Sequence, residues 1–217
     1  RSQPAPVLQL TGGVAVAAGY GHSLALKKDG TVWAWGDNSS GQLGDGTNNP
    51  SNTPVEVSGL NSEIRAIATG DQHACVLTDS GAVKCWEGNS HGQLGDGTNN
   101  PSDTPVDVVG LSSGITAISA GRWYTCALTG SGAVKCWGNN GNGQLGDRTF
   151  TNSNTPVNVT GLSSGVKAIT TGFFHTCAVT RNGAVKCWGN NSRGQLGDGT
   201  NNKGNINTPV DVFGLSS

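Results

Sequence analysis

The five-residue string Gly41-Gln42-Leu43-Gly44-Asp45 divides the rest of the chain into units. The same letters, GQLGD, begin again at residues 92, 143 and 194, each 51 residues after the one before. A fixed period of about 50 residues is typical of tandem repeats in which each unit is one supersecondary element. Four tryptophans keep the same spacing, at Trp35, Trp86, Trp137 and Trp188.

Each unit has the pattern of short strands joined by glycine-rich turns. In the second repeat, His73 to Thr78 and Ala82 to Trp86 flank a turn at Asp79-Ser80-Gly81, which is typical of a β-hairpin. A Thr-Pro-Val segment, first at Thr53, begins a further strand with its proline at an edge. No stretch shows the 3.6-residue period of an amphipathic helix. The pattern predicts an all-β chain, a β-propeller of four-stranded antiparallel blades.

We place the repeat boundaries before each Thr-Pro-Val. The chain is then a single propeller array with repeats at 1–52, 53–103, 104–154 and 155–207 and a surplus strand at 208–217. The chain also begins with a strand-like segment at residues 6–10. An open arc would leave sheet edges and an apolar face exposed. Three arrangements remain open: a closed four-blade ring, association with another chain, or excision from a longer array, which the lack of an initiator Met favours.

Three motifs recur in fixed order, G-x-x-H, D-G-x-V-x-x-W-G and G-Q-L-G-D-G. In the first repeat they are Gly19-Tyr20-Gly21-His22, Asp29-Gly30-Thr31-Val32 with Trp35-Gly36, and Gly41 to Gly46. This order resembles the repeat of the regulator-of-chromosome-condensation family, and the chain is similar to a bacterial-type secreted variant of it. The resemblance implies propeller blades, usually seven per ring, and protein–protein binding. The family's nucleotide-exchange, chromatin and ultraviolet-photoreceptor roles do not carry over to these residues.

Six cysteines form three pairs, each ten residues apart and symmetric about the predicted hairpin turn. Facing residues in a non-hydrogen-bonded antiparallel pair have Cβ atoms about 4.5 Å apart, close to disulfide reach. The first repeat has Leu24 and Ala34 instead, so the pair disappears as a unit. Disulfides would indicate an extracellular or cell-surface protein. Free thiols in the core are the alternative. The expected disulfides are Cys75–Cys85, Cys126–Cys136 and Cys177–Cys187.

The composition argues against several classes of protein. With a formal net charge of -1 and 12% charged residues, we expect no nucleic-acid partner. No run approaches the ~20 apolar residues of a membrane-spanning helix, so we expect no membrane insertion. Glycine is abundant, at 35 of 217 residues, but it lacks the three-residue period of collagen and recurs at the predicted turns.

Candidate catalytic and metal-binding groups are few. His22, His73 and His175 share one repeat position, where the third repeat has Tyr124, and we interpret this position as a buried ring bonded to the backbone. Asp45 and its equivalents lack the spacing and the bidentate Glu of a calcium loop, which favours side-chain-to-backbone turns. The GQLG glycines precede no lysine of a phosphate loop. We therefore expect no enzyme activity, no cofactor and no metal.

Positions that differ between the repeats are the candidates for binding a partner. Both residues inside G-x-x-H vary between repeats, and so does the residue before GQLGD. Tyr, Trp and Arg, which occur among them, are enriched at interface hot spots. The candidates are Tyr20, Asp71, Gln72, Arg122, Trp123, Phe173, Phe174, His91 and Arg193.

The predicted function is that of a non-enzymatic extracellular scaffold. It would bind a protein partner through these variable positions, which we expect at a rim of the blades, or assemble with itself through open blade edges. The alternative is a carbohydrate-binding, lectin-like propeller with one shallow site per blade. A lectin would keep its ligand contacts in every repeat, whereas the pair inside G-x-x-H changes each time.

Overall fold

The structure is a computed structural model of the chain, and it describes residues 7, 10–60, 63–200 and 204–216. These residues form four four-stranded antiparallel sheets and contain no helix. The predicted all-β propeller of four-stranded blades is confirmed. In the described ranges, no helix is long and apolar enough to cross a membrane.

Each sheet is a meander in which consecutive strands pair. The first sheet contains β1 (Gly13–Ala18), β2 (His22–Lys27), β3 (Val32–Gly36) and β4 (Ser51–Glu56). The second contains β5 (Ile64–Thr69), β6 (His73–Thr78), β7 (Val83–Glu87) and β8 (Ser102–Asp107). The third contains β9 (Ile115–Ala120), β10 (Tyr124–Thr129), β11 (Val134–Gly138) and β12 (Ser153–Asn158). The fourth contains β13 (Val166–Thr171), β14 (His175–Thr180), β15 (Val185–Gly189) and β16 (Ile206–Asp211).

The strand that carries Thr-Pro-Val is the last strand of each sheet and does not open the next one. In β16, Val210 lies opposite Cys187 of β15, so this strand completes the fourth sheet. Residues 208–211 of the predicted surplus strand (208–217) therefore belong to that sheet. The sheets and the repeat boundaries differ by one strand because a tandem repeat has no marked start. The strand-like segment at 6–10 lies largely outside the described residues.

The three predicted disulfides are present, each with its two Cα atoms 4.1 Å apart. The strand register places Cys75 opposite Cys85 and Leu77 opposite Val83, as the hairpin pattern predicts. Each bond joins the two central strands of one sheet, so it stabilises a hairpin and does not link neighbouring sheets.

The hydrophobic core lies in three layers between successive sheets. Each layer contains a tryptophan of the following sheet (Trp86, Trp137 and Trp188), all of them fully buried. The Trp86 indole N–H donates to the Gln42 carbonyl in the GQLGD motif of the preceding sheet at 3.1 Å. Gly44 has a φ of +64°, and an added Cβ would lie 2.7 Å from Trp86 Nε1. The motif is thus the contact between sheets, and its second glycine is required by both its φ and this close approach.

The first strands of the sheets line the axis of the array. β1 packs against β5, β5 against β9, and β9 against β13. Within the described ranges, no comparable contact joins β1 to β13. Val14 and Val16 on β1 are 61% and 79% exposed. The four sheets therefore form a partial propeller whose first sheet has an uncovered apolar face along β1.

Candidate functional site

The G-x-x-H motif forms the turn between the first two strands of each sheet. In the third sheet, the Gly121 N–H donates to the Tyr124 carbonyl at 2.8 Å, which leaves Arg122 and Trp123 at the tip. An added Cβ on Gly121 would overlap the Tyr124 ring, so the motif requires glycine here. The variable residues are therefore held on a turn whose ends are fixed.

Turns of neighbouring sheets are hydrogen-bonded in series around the axis. The Asp71 N–H donates to the Arg122 carbonyl at 3.1 Å, and the Arg122 N–H donates to the Phe173 carbonyl at 3.3 Å. These three residues and Tyr20 line an axial cavity of about 370 Å³. The first variable residue of every repeat thus lies at one opening.

Arg122 contacts variable residues of the sheets on both sides of its own. Its Nε donates to Asp71 Oδ2 at 3.0 Å. Its guanidinium carbon lies 4.0 Å from the Trp123 ring centroid, 4.4 Å from that of Phe173 and 5.5 Å from that of Phe174. The guanidinium is therefore held by one carboxylate and by cation–π contacts with three rings.

The rings also contact one another and His91. His91 stacks on Trp123 with ring centroids 4.9 Å apart and planes 2° apart. Phe173 and Phe174 meet edge to face at 4.8 Å, and Phe174 meets Trp123 at 6.2 Å. Burial lowers the pKa of His91, so its ring is neutral at pH 7. We name this group the Arg122 cluster: Asp71, His91, Arg122, Trp123, Phe173 and Phe174.

The remaining predicted partner-binding residues lie outside the Arg122 cluster. Tyr20 is 86% exposed at the axial opening and has no ring contact with the cluster in the described part of the chain. Gln72 and Arg193 are exposed, and their side chains make no hydrogen bond or ion pair within the described residues. A role in binding stays a prediction for all nine.

The fourth residue of the G-x-x-H turn faces the next sheet. Tyr124 donates from its hydroxyl to the His175 carbonyl at 2.5 Å, which fits the predicted bond to the backbone. His73 differs, since its Nε2 lies 2.8 Å from the Thr125 hydroxyl, a side-chain partner. Burial, with a smaller effect of His22, lowers the pKa of His73 to about 3. Such a ring is a poor general base at pH 7.

The repeated aspartates are engaged in local hydrogen bonds. Asp45 Oδ1 accepts from the backbone N–H of Thr47 at 2.9 Å, from its hydroxyl at 2.8 Å and from Asn38 Nδ2 at 3.3 Å. These bonds form the side-chain-to-backbone turn that the sequence favours over a calcium loop. No three His, Cys, Asp or Glu side chains among the described residues are grouped to hold a metal ion.

Successive sheets of the array meet where a buried tryptophan packs against the GQLG segment of the preceding sheet. The sequence with this arrangement matches a known protein family. Residues 1–217 match the RCC1-like domain. The chain belongs to the RCC1-like domain family. This RCC1-like domain is 39% identical to human probable E3 ubiquitin-protein ligase HERC4 over 206 residues, 93% of the chain and 19% of HERC4. It is 38% identical to human HERC6 over 190 residues, 84% of the chain and 19% of HERC6. The chain thus spans about a fifth of the length of these relatives.

Two solved structures show the same architecture. Human WBSCR16 superposes with a TM-score of 0.82 at 26% identity, over 92% of this chain and 52% of WBSCR16. Yeast RCC1 (Prp20), bound to Kap60, superposes with a TM-score of 0.82 at 21% identity, over 95% of this chain and 50% of Prp20. The resemblance to the regulator-of-chromosome-condensation family is confirmed. The relatives named here are eukaryotic, and a bacterial-type secreted variant stays a proposal.

Proposed function

We propose that this RCC1-like domain is a non-enzymatic protein-binding module and that its partner binds the Arg122 cluster. The main support is that six residues from three sheets, all at positions that vary between repeats, contact one another in one partly exposed group. Arginine and tryptophan are enriched among the residues that dominate binding energy at protein interfaces. Rings already ordered against Arg122 lose little conformational freedom when a partner binds.

The chemistry of Arg122 indicates which partner side chains fit. Its Nε is engaged by Asp71, whereas neither Nη atom makes a hydrogen bond within the described residues. Those N–H groups form a planar fork that suits a carboxylate. Phe173, 53% exposed, offers apolar surface directly beside them. The proposed partner segment therefore combines an acidic side chain with an aromatic or aliphatic one.

Proteins with this fold bind other proteins. Yeast RCC1 (Prp20) forms a complex with Kap60, and Prp20 has binding properties toward Gsp1 and histones. At 21% identity these proteins share the fold alone with this domain. They support protein binding as the function class, and the identities of their partners do not transfer.

We further propose an extracellular or cell-surface location, as a secreted variant of bacterial type. Three disulfides and no free cysteine among the described residues support an oxidising compartment. The net charge of -1 supports the absence of a nucleic-acid partner. The exposed Val14 and Val16 support a second mode, self-assembly through the open edge of the first sheet.

Carbohydrate binding is the weaker alternative. A repeated lectin site would need accessible tryptophans, yet Trp86, Trp137 and Trp188 are fully buried, with their indole N–H groups bound to glutamine carbonyls. A groove of about 630 Å³ between the first and second sheets is lined by Ser, Asn, Asp, Gly and Pro residues, without an aromatic ring. Sugar-binding sites gain much of their contact from such rings.

A peptide library displayed on phage, selected on the oxidised wild-type chain, tests the protein-binding proposal. We expect enriched peptides to pair Asp or Glu with an aromatic or aliphatic residue, and Arg122→Ala to weaken their binding about tenfold or more. Arg181→Ala is the matched control, because it removes the same charge from an exposed arginine that lies outside the Arg122 cluster and is not a candidate for partner binding. Peptides that bind Arg122→Ala as tightly as the wild type would overturn the proposal.

A further inference from the structure

Two of the three interfaces between sheets share one buried hydrogen-bond arrangement. Between the second and third sheets, His73 Nε2 lies 2.8 Å from the Thr125 hydroxyl. Between the third and fourth, the Thr176 hydroxyl lies 3.2 Å from the Tyr124 hydroxyl. Each threonine is also bonded to a main-chain carbonyl of the preceding GQLGD motif, at 3.3 and 3.0 Å. A threonine hydroxyl thus provides the partner for the ring at both interfaces.

The interface between the first and second sheets departs from this arrangement at two positions. Ala74 stands where the other interfaces have threonine, so His22 has no hydroxyl to meet. Glu87 stands where the other repeats have glycine, and it keeps a positive φ of 89°. Side chains rarely adopt that backbone conformation, which favours glycine. The corresponding glycines are Gly36, Gly138 and Gly189.

Two buried ionisable groups face each other at this interface. Glu87 is 0% exposed and His22 is 3% exposed, and Glu87 Oε2 lies 3.9 Å from His22 Nε2. Neither carboxyl oxygen and neither ring nitrogen has a hydrogen-bond partner within the described residues. Buried polar groups without partners are strongly unfavourable. The separation exceeds the length of a hydrogen bond by about 1 Å.

Both groups are neutral at pH 7. Burial raises the pKa of Glu87 to about 9, and the charges of Asp37 and Asp71 add to that shift. Burial lowers the pKa of His22 to about 4, against the opposing effect of Asp37. His73, which lies opposite Glu87 in the strand register, also has a low pKa, about 3, because it is buried. A protonated carboxyl donates a hydrogen bond and a neutral imidazole accepts one.

We propose that Glu87 is a buried carboxylic acid whose O–H donates to Nε2 of His22, and that loss of this proton to solvent opens the interface between the first and second sheets. Ionised Glu87 would be a buried carboxylate near the charges of Asp37 and Asp71, and no Lys or Arg of the described residues pairs with it. The other two interfaces rely on threonine hydroxyls, which do not ionise in this range. The first sheet is therefore the alkali-sensitive end of the array, whatever binds the Arg122 cluster.

The wild-type chain contains one buried reporter for each interface: the indole N–H groups of Trp86, Trp137 and Trp188. Between about pH 7 and about pH 10, we expect NMR to show protection of Trp86 from exchange falling about tenfold or more relative to the other two. Glu87→Gln, which cannot ionise, should keep all three equally protected. Glu56→Gln, which removes an exposed carboxylate, should behave as the wild type.

Direct observation of the Glu87 carboxyl by ¹³C NMR in the wild-type chain keeps the test independent of how Glu87→Gln folds. The expected result is titration near pH 9 that coincides with the loss of Trp86 protection. Titration near the ordinary value of 4.5 would overturn the inference. Equal loss of protection at all three interfaces would overturn it as well.

Discussion

Asp71 and Arg122 occupy the same position of successive repeats, 51 residues apart, and Arg122 Nε donates to Asp71 Oδ2 at 3.0 Å. The two side chains are 18% and 31% exposed, where an ion pair contributes at most about 1 kcal/mol to folding. The pair instead orients the guanidinium against the rings of Trp123 and Phe173. Residues that differ between repeats are thus complementary between neighbouring sheets.

The stack of His91 on Trp123 predicts that the Trp123 ring helps to keep the pKa of His91 low. Burial lowers the pKa of His91, and the Trp123 ring covers one face of the imidazole at 4.9 Å. Trp123→Ala exposes this face, so the pKa of His91 should rise toward 6.5. NMR titration of the imidazole measures the change, with Tyr20→Ala as the control outside the Arg122 cluster. An unchanged pKa in Trp123→Ala would mean that other contacts bury His91.

The disulfide of the second sheet predicts a defined loss of stability. Cys75→Ala combined with Cys85→Ala opens a short loop and should lower the free energy of unfolding by about 2–3 kcal/mol. Cys75→Leu combined with Cys85→Ala copies Leu24 and Ala34 of the first sheet and should recover part of that loss by refilling the core. Urea unfolding measures both. Free thiols in a non-reduced digest of the wild type would remove the support for an extracellular location.

Sheets and disulfides are predictable from the sequence because both depend on local spacing. Cys75 and Cys85 lie symmetrically about a hairpin turn, so the two-residue period of a strand places them opposite each other. The starting strand of each blade is not predictable in this way. Four strands in 51 residues are compatible with a blade that begins at any of the four. The strand pairing, such as Val55 with Ala34 and Val210 with Cys187, shows that Thr-Pro-Val ends a sheet.

The sequence predicts which residues belong to the Arg122 cluster but not how they contact one another. Variation between repeats indicates Asp71, Arg122 and Trp123, but their contacts depend on the angle between sheets, which no local pattern encodes. His91 reaches Trp123 from the loop of another sheet. The dipeptide Glu87-Gly88 departs visibly from the Gly-Asp or Gly-Asn of the other repeats, whereas its consequence for His22 follows only from the interface geometry.

Gly44 and Gly46 allow the cost of backbone strain in the G-Q-L-G-D-G motif to be distinguished from the cost of a steric clash with Trp86. Both have positive φ, +64° and +80°, so alanine should cost each about 1–2 kcal/mol of backbone strain. An added Cβ at Gly44 lies 2.7 Å from Trp86 Nε1, and one at Gly46 lies 3.6 Å from a Thr104 methyl. Gly44→Ala should therefore destabilise the chain by about 1 kcal/mol more than Gly46→Ala in urea unfolding. Equal losses would show that the loop moves to admit the methyl group.

The pKa shifts of His22, His73 and Glu87 together predict a stability maximum near neutral pH. The folded pKa of His22 is lowered from 6.5 to about 4, so below 6.5 the unfolded chain binds an additional proton and stability falls. The folded pKa of Glu87 is raised from 4.5 to about 9. Its stabilising proton is therefore lost progressively as the pH rises from 4.5 through about 9.

The two effects oppose each other between about pH 4.5 and pH 6.5, and His73, with its lowered pKa, adds to the loss on the acid side. Above pH 6.5 Glu87 dominates, with a slope of up to about 1.4 kcal/mol per pH unit. Urea unfolding from about pH 5 to about pH 10 measures the profile. A flat limb between pH 7 and pH 9 would mean that Glu87 is already ionised or hydrated in the folded chain.

Restoring the residue order of the other repeats, by Glu87→Gly combined with Gly88→Asn, should stabilise the chain. Glycine removes the strain at a φ of 89° and the buried carboxyl. Asparagine returns an acceptor to Gln93, whose Nε2 lacks a partner within the described residues, as Asn139 does for its own glutamine at 2.6 Å. At pH 7 the loss of the bond between Glu87 and His22 offsets part of this gain, so we expect about 1 kcal/mol in urea unfolding, and a larger gain at pH 9, where Glu87 ionises.

Gly88→Asn alone is the control that separates the two substitutions. With Glu87 in place, an added Cβ at residue 88 would lie 2.8 Å from the Gln72 carbonyl oxygen, so the single variant should be less stable than the wild type. In the double variant, Glu87→Gly lets the backbone adopt the geometry of the other repeats. A double variant that still loses stability between pH 7 and pH 9 would show that the alkaline sensitivity does not come from Glu87.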